Sequence, residues 1–244
     1  MGKYVLITGA SSGIGRATAV RLSKSYPLIL GGRDEKRLEE TRAMCDPLGH
    51  YLFWKYDLMD VDGIEDNLLA FIKENNISVS GFVHSAGIAN LAPLRMETIT
   101  QMRAIMDVNF YSAVAILKLL ANKKANEEAL ACVVFVSSIS SQRGAKGMSI
   151  YSASKGAMDS FARSMACELA PRVRVNTVLP GGIVTPGAQA MVDGVGLLQG
   201  DSGYLLGEGK TQDIAEMIAF LMSDQARWIT GQNFIIDGGK ISHC

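Results

Sequence analysis

Along the chain, short runs of apolar and β-branched residues alternate with longer segments in which apolar positions recur every three to four residues. The runs at 4–8, 27–31, 51–56, 81–85, 131–137, 173–179 and Asn233–Ile236 read as strands, and most are apolar at consecutive rather than alternate positions. A strand that is apolar on both faces must be covered on both faces, and parallel strands need helical crossovers that supply that cover. The pattern therefore predicts an α/β fold, a doubly wound seven-stranded parallel sheet with about six helices on its two faces.

Two helices are long. One should run from 99 to about 122 and the other from 151 to about 169, where Pro171 stops it. The second carries Ser152, Gly156, Ser160 and Ser164 at helical spacing. Such a stripe suits either a helix from another copy of the chain or close packing on the chain's own sheet. Residues 185–210 break the pattern: they are rich in glycine, weakly periodic, and carry scattered apolar residues such as Met191, Leu197, Leu198, Leu205 and Leu206. A long loop with apolar side chains reads as a lid over a substrate pocket. One domain over residues 1–244, with that lid as its excursion, is expected, because α/β chains of this length usually keep a single core.

Composition narrows the function. Lys+Arg and Asp+Glu are equal at 24 each, so no global field attracts nucleic acid or an anionic membrane. No stretch reads as a membrane span, and the chain enters a strand at once without a leader pattern. Cys45, Cys132, Cys167 and Cys244 lie far apart, which suits a reducing compartment, and a cytoplasmic location is expected. His50 and His243 are isolated from any cysteine or carboxylate cluster, so no catalytic metal is expected.

The first strand runs into Thr8-Gly9-Ala10-Ser11-Ser12-Gly13-Ile14-Gly15, directly before a helix. Glycines at these positions permit a tight turn and let backbone N–H groups and a helix N-terminus approach a pyrophosphate. The second strand ends Gly31-Gly32-Arg33 with no carboxylate before the arginine. A carboxylate there would bind a ribose 2′-hydroxyl, whereas an arginine pairs with a 2′-phosphate, so NADP(H) is favoured over NAD(H). Asp34 and Glu35 follow and suit the start of the next helix.

Tyr151 and Lys155 stand four apart and so emerge from one face of the second long helix. An ammonium beside a phenol lowers the phenol's pKa toward the range in which it can exchange a proton at neutrality. The spacing alone is common, but it sits with the glycine turn, with Ser137-Ser138 after the fifth strand, and with Pro180-Gly181 after the sixth. In these motifs and their order, from Thr8-Gly9 to Ile236-Asp237-Gly238-Gly239, the chain resembles the short-chain dehydrogenase/reductase family, including its 3-oxoacyl-carrier reductases.

The resemblance implies a single-domain Rossmann fold and a hydride passed between the nicotinamide and a carbonyl or alcohol carbon. It implies that Tyr151 gives or takes the proton, that Ser138, thirteen residues earlier, holds the substrate oxygen, and that Ser137 stands behind it. Lys155 would hold the nicotinamide ribose and tune the tyrosine, and Asn109 would help hold a relay water. Gly9, Ser11, Ser12, Gly13, Ile14 and Gly15 would cradle the pyrophosphate, and Arg33 the 2′-phosphate. Asp57 and Leu58 would meet the adenine, and Ser85, Ala86 and Gly87 would lie along the cofactor. Pro180, Gly181, Ile183 and Thr185 would hold the nicotinamide. Ser85 stands where the family has asparagine, which puts the support of the central sheet in question rather than the chemistry.

The implied substrate is a small carbonyl or alcohol compound or a carrier-bound acyl group, and the implied assembly is a homotetramer or dimer. Its pocket should be lined from 91–94, 142–148 and the 185–210 excursion. Lys118, Lys123 and Lys124 with Glu127 and Glu128 read as a solvated mixed patch rather than a carrier-docking surface. His84, on a buried strand, reads as a core histidine. Two other readings stand beside the reductase: an NAD-dependent sugar or polyol dehydrogenase, and an NADP-sensing protein without chemistry.

Overall fold

The computed structural model describes residues 2–183 and 203–242. Seven strands form one parallel sheet: β1 (Gly2–Thr8), β2 (Leu28–Gly32), β3 (Tyr51–Lys55), β4 (Ile77–His84), β5 (Cys132–Val136), β6 (Arg174–Pro180) and β7 (Asn233–Ile236). Their order is β3-β2-β1-β4-β5-β6-β7. The chain therefore builds outward from β1 in one direction, then returns to the other side of β1 with β4. Loops at the carboxyl ends of β1 and β4 diverge there and leave a crevice, the usual ligand site of such sheets.

Among the described residues the helices are α1 (Gly13–Leu22), α2 (Glu35–Met44), α3 (Ile64–Glu74), α4 (Ile99–Met106), α5 (Ser112–Ala121), α6 (Ser149–Leu169) and α7 (Thr211–Met222). Successive strand residues point to opposite faces, and both faces are covered. Leu6, Ile29, Phe82 and Val133 pack in a core with residues of α3, α5 and α6, such as Leu68, Ile116 and Met158. Their neighbours Ile7, Leu30, Val83 and Val134 pack in a second core with residues of α1, α2 and α7, such as Leu22, Leu38 and Ile218. This two-sided burial is why the strands are apolar at consecutive positions.

The expected elements are all present, with shifted ends. β4 begins at Ile77 rather than 81, because Gly2–Tyr4 pairs with Ile77–Val79 and the register then shifts between Tyr4 and Val5. The helix expected from 99 runs to Ala121 but contains a π-turn, Asp107–Tyr111, between α4 and α5. The expectation that no stretch is long and apolar enough to span a membrane is corrected: 99–121 is, by length and composition. It is half buried, and Ala113, Ile116, Leu117 and Leu120 belong to the core, so the helix is apolar because it packs on the sheet. On α6 the inward side chains are Ser154, Lys155, Met158, Asp159, Ala162 and Ala166. From Gly156 onward the small-residue stripe faces away from the chain's own sheet: Ser160 and Ser164 are exposed, and a Cβ at Gly156 would meet nothing within 4 Å, whereas the Ser152 hydroxyl is buried. Residues 184–202 of the expected lid lie outside the described residues, as do His243 and Cys244.

Candidate active site

The glycine turn is shaped by backbone demands. Gly9 has φ +69° and Gly13 φ +53°, conformations costly for other residues. A Cβ on Gly9 would lie 2.8 Å from the Ala86 backbone, and one on Gly15 would lie 2.2 Å from the Gly9 carbonyl oxygen. Arg16 Nη2 donates to the Ser11 carbonyl at 2.7 Å and to Glu40 at 3.0 Å, which fixes the loop against α2. Ser12 is the N-cap of α1 but its side chain makes no capping bond, and the first turn carries no acidic residue. That leaves an electropositive helix end facing the crevice.

The crevice is a cleft of about 360 Å³. It brings together Gly9, Ser11, Ser12, Gly13, Ile14, Arg33, Asp57, Leu58, Ser85, Ala86 and Gly87, all picked out from sequence. It also contains Gly32, Arg37, Tyr56, Met59, Ile88 and Val108, which sequence reasoning missed. Arg37 carried a usable signal, since it lies four residues after Arg33. Asp34 caps α2, accepting from Arg37 N at 3.2 Å, and Glu35 opens the helix, as their sequence suggested. Arg33 Nη1 lies 3.6 Å from Asp57 Oδ2, with both side chains more than half exposed. This donor set fits a dinucleotide: a sterically emptied turn, a free helix N-terminus and two arginines at the far end.

Pro180, Gly181 and Ile183 are not among the residues that line this cleft. Gly181 and Ile183 line a separate cavity of about 280 Å³ with Tyr204, Asp213 and Asp237. Gly182 N donates to Tyr204 Oη at 2.6 Å, and Ile183 forms a bridge with Gly209. Thr185 lies outside the described residues. The two loops expected to line the substrate pocket do meet: Ala92 N donates to the Gly147 carbonyl at 3.0 Å.

Tyr151, Lys155 and Ser138 converge outside the residues that line the cleft, with Lys155 next to Gly87 of its wall. Ser138 caps the 3₁₀ turn Ile139–Ser141, its hydroxyl accepting from Ser140 N at 3.1 Å. Burial raises the Tyr151 pKa above its ordinary value, and a hydrogen bond with Ser138 opposes that shift. Lys155 is buried; its Nζ donates to the Val136 carbonyl at 2.7 Å and lies 5.7 Å from the Tyr151 ring centre. Burial pushes the ammonium down to about 8, and Asp159 pulls the other way. The Ser137 hydroxyl lies between two acceptors on α6, the Lys155 carbonyl at 3.2 Å and the Asp159 carboxylate, and ties α6 to the end of β5.

Asn109 sits in the π-turn, a distortion common near functional sites. Its bonds are long-range rather than local. Oδ1 accepts from Ile88 N at 2.7 Å, while Nδ2 donates to the Ile88 carbonyl at 2.9 Å and to Ser154 Oγ at 3.0 Å. Both amide protons are thus committed to holding the loop after β4 against α6. A Cβ on Gly87 would lie 3.4 Å from Asn109 Oδ1 and 3.5 Å from Lys155 Nζ, so these three residues share one small space. The tie between β1 and β4, in question because of Ser85, is made one residue earlier: Thr8 Oγ1 and His84 Nδ1 are 2.9 Å apart. His84 is fully buried, and burial helped by Lys155 pushes its pKa down to about 3, so it stays neutral.

Residues 9–240 match the family model described as enoyl-(acyl carrier protein) reductase. The chain is 32% identical over 242 residues to 3-oxoacyl-[acyl-carrier-protein] reductase FabG of Haemophilus influenzae, covering 98% of each chain. It is 30% identical over 247 residues to glucose 1-dehydrogenase of Gluconobacter oxydans, covering 98% of this chain and 91% of that one. Among solved structures, ElxO with NADP bound superposes with a TM-score of 0.86 at 25% identity over all of both chains. 4-Hydroxyisoleucine dehydrogenase complexed with NADH and succinate does so with 0.83 at 28%, over 98% of this chain and 100% of that one. The chain belongs to the short-chain dehydrogenase/reductase family, with its Rossmann-like fold. It is an oxidoreductase of that family, and its structural neighbours support a nicotinamide cofactor.

Proposed function

We propose that this protein is an NADP(H)-dependent reductase of a ketone, of 3-oxoacyl-carrier type or similar, working as one domain over residues 1–244 with 185–210 as substrate lid. The observation that carries this reading is the convergence of Ser138, Tyr151 and Lys155 next to Gly87, a residue lining the cleft that also presents Arg33 and Arg37. The nicotinamide would supply the hydride. Gly9, Ser11, Ser12, Gly13, Ile14 and Gly15 would hold the pyrophosphate on the α1 N-terminus, Asp57 and Leu58 the adenine, and Ser85, Ala86 and Gly87 the adjoining wall. Pro180, Gly181, Ile183 and Thr185 would meet the carboxamide.

Ser138 donates its hydroxyl proton to the substrate oxygen, and Tyr151 transfers its own proton to that oxygen as negative charge develops there. Lys155 supports the resulting phenolate, and a water held near Asn109 returns the proton. Because both Asn109 amide protons are committed, such a water would sit on an oxygen of that residue. Lys118 and Lys123 are paired with Glu65 and Glu128, at 2.6 and 2.9 Å, so this patch offers a carrier little unpaired charge. A small ketone or a thioester reached through the 91–94 and 142–148 loops fits better. The free cysteines Cys45, Cys132 and Cys167 suit the cytoplasm, and the outward stripe on α6 suits a homotetramer or dimer.

The Arg33–Asp57 pair and the likeness to glucose 1-dehydrogenase favour a second reading, an NAD-dependent sugar or polyol dehydrogenase. Cofactor preference separates the two. Arg33→Ala should raise the Kd for NADPH about 10–100-fold and leave that for NADH nearly unchanged, since a charge-assisted pair to phosphate contributes about 1.5–3 kcal/mol. Equal effects on both cofactors would remove the basis for NADP(H). An NADP-sensing protein without chemistry would bind NADPH and turn over no member of a ketone panel.

A further inference from the structure

Asp159 is a carboxylate in an unusual place. It lies one helical turn beyond Lys155 on the inward face of α6, where mid-helix aspartates normally face water, and it is only 4% exposed. Ser141 Oγ is 2.5 Å from Asp159 Oδ2 and 2.8 Å from the Ser138 carbonyl oxygen. A hydroxyl has one proton to give, and an ionised carboxylate is the stronger acceptor, so Ser141 donates to Asp159 while that group is charged. When Asp159 takes up a proton the direction can reverse, with the carboxyl donating to Ser141 Oγ and Ser141 donating to the Ser138 carbonyl. The carboxylate is therefore in contact with the turn that begins at Ser138.

We propose that Asp159 is a positioning residue for the proton-transferring trio. It supplies the buried countercharge to the Lys155 ammonium and, through Ser141, fastens the turn that carries Ser138. The inference rests on the roles proposed above for Ser138, Tyr151 and Lys155. Burial raises the Asp159 pKa, while the hydroxyls of Ser137 and Ser141 and the charges of Arg163 and Lys155 lower it. Asp159 is in turn what opposes the desolvation of Lys155. The other titratable or charged groups acting on the pair are Tyr151 and Arg163 on α6 and His84 at the end of β4. His84 stays neutral, so Asp159 provides the compensating negative charge.

The test follows the Lys155 side chain in the free protein by ¹⁵N NMR of Nζ, assigned with Lys155→Met. Asp159→Asn keeps the shape and removes the charge. It should move the Lys155 titration midpoint acidward by about one pH unit, the order expected for a unit charge one helical turn away in a poorly solvated site. Asp159→Glu should restore most of it. Amide exchange at Ser140 and Ser141 should quicken in Asp159→Asn. If that variant does not fold, the wild-type Lys155 resonance should still show a second inflection in the acid range as Asp159 protonates. An unmoved midpoint, or a wild-type curve without that inflection, overturns the proposal. Turnover of the ketone panel by Tyr151→Phe at the wild-type rate would instead defeat the reading of the trio, whatever Asp159 does.

Discussion

His84 makes acid stability a measurable consequence of the site. Its folded pKa, about 3, lies below the ordinary 6.5, because burial and the Lys155 charge both disfavour an imidazolium there. The unfolded chain takes up this proton near pH 6.5 while the folded chain refuses it until about pH 3. The group therefore costs no stability above pH 6.5 and progressively more as pH falls through the window from 6.5 to 3. At pH 5 the loss is about 2 kcal/mol, from 1.5 pH units at about 1.36 kcal/mol each. The perturbation is His84→Asn, which removes the titration. Equilibrium urea unfolding at pH 7 and pH 5, at one protein concentration, gives four free energies. Their double difference cancels the cavity and hydrogen-bond effects of the substitution, and the ordinary carboxylate titrations as well. It should be about 2 kcal/mol, with the variant losing less on acidification. A double difference within about 0.5 kcal/mol of zero would mean that His84 is not held neutral beneath the cofactor turn.

Two further perturbations probe the cleft and the outer face of α6. Gly15→Ala places a methyl 2.2 Å from a backbone oxygen that cannot yield without moving the turn. It should weaken NADPH binding about 10–100-fold by fluorescence titration, an overpacking cost of about 1–3 kcal/mol, and unchanged binding would contradict the cradle. Gly156→Arg points a long side chain into open space on the isolated chain. It should leave the circular dichroism spectrum intact while lowering the mass measured by light scattering, and an unchanged mass would remove α6 from any subunit contact.

The sheet was legible because burial on both faces writes continuous apolar runs, as in Cys132–Val136. The start of β4 was not, since Ser78 and Ser80 interrupt its run and its pairing with β1 passes through an irregularity. The glycine turn could be read because its backbone conformations exclude other residues. Arg37 escaped attention because it needs α2 to begin at Glu35 before it shares the cleft with Arg33. The π-turn under Asn109 leaves no mark in the hydrophobic period, and only the structure shows both its amide protons engaged. Asp159 was hidden for the opposite reason: in sequence an aspartate on a helix reads as solvated, and its burial depends on the serine turn that packs over it.

The most direct test of the proposed chemistry is NADPH oxidation at 340 nm against a panel of 3-oxoacyl thioesters, diketones and keto sugars, with wild-type protein and Tyr151→Phe side by side. Turnover of at least one ketone by the wild type is expected, with a fall of about 10²-fold or more in Tyr151→Phe and NADPH affinity unchanged. NADPH turnover that survives the loss of the Tyr151 hydroxyl would contradict its assignment as the proton donor.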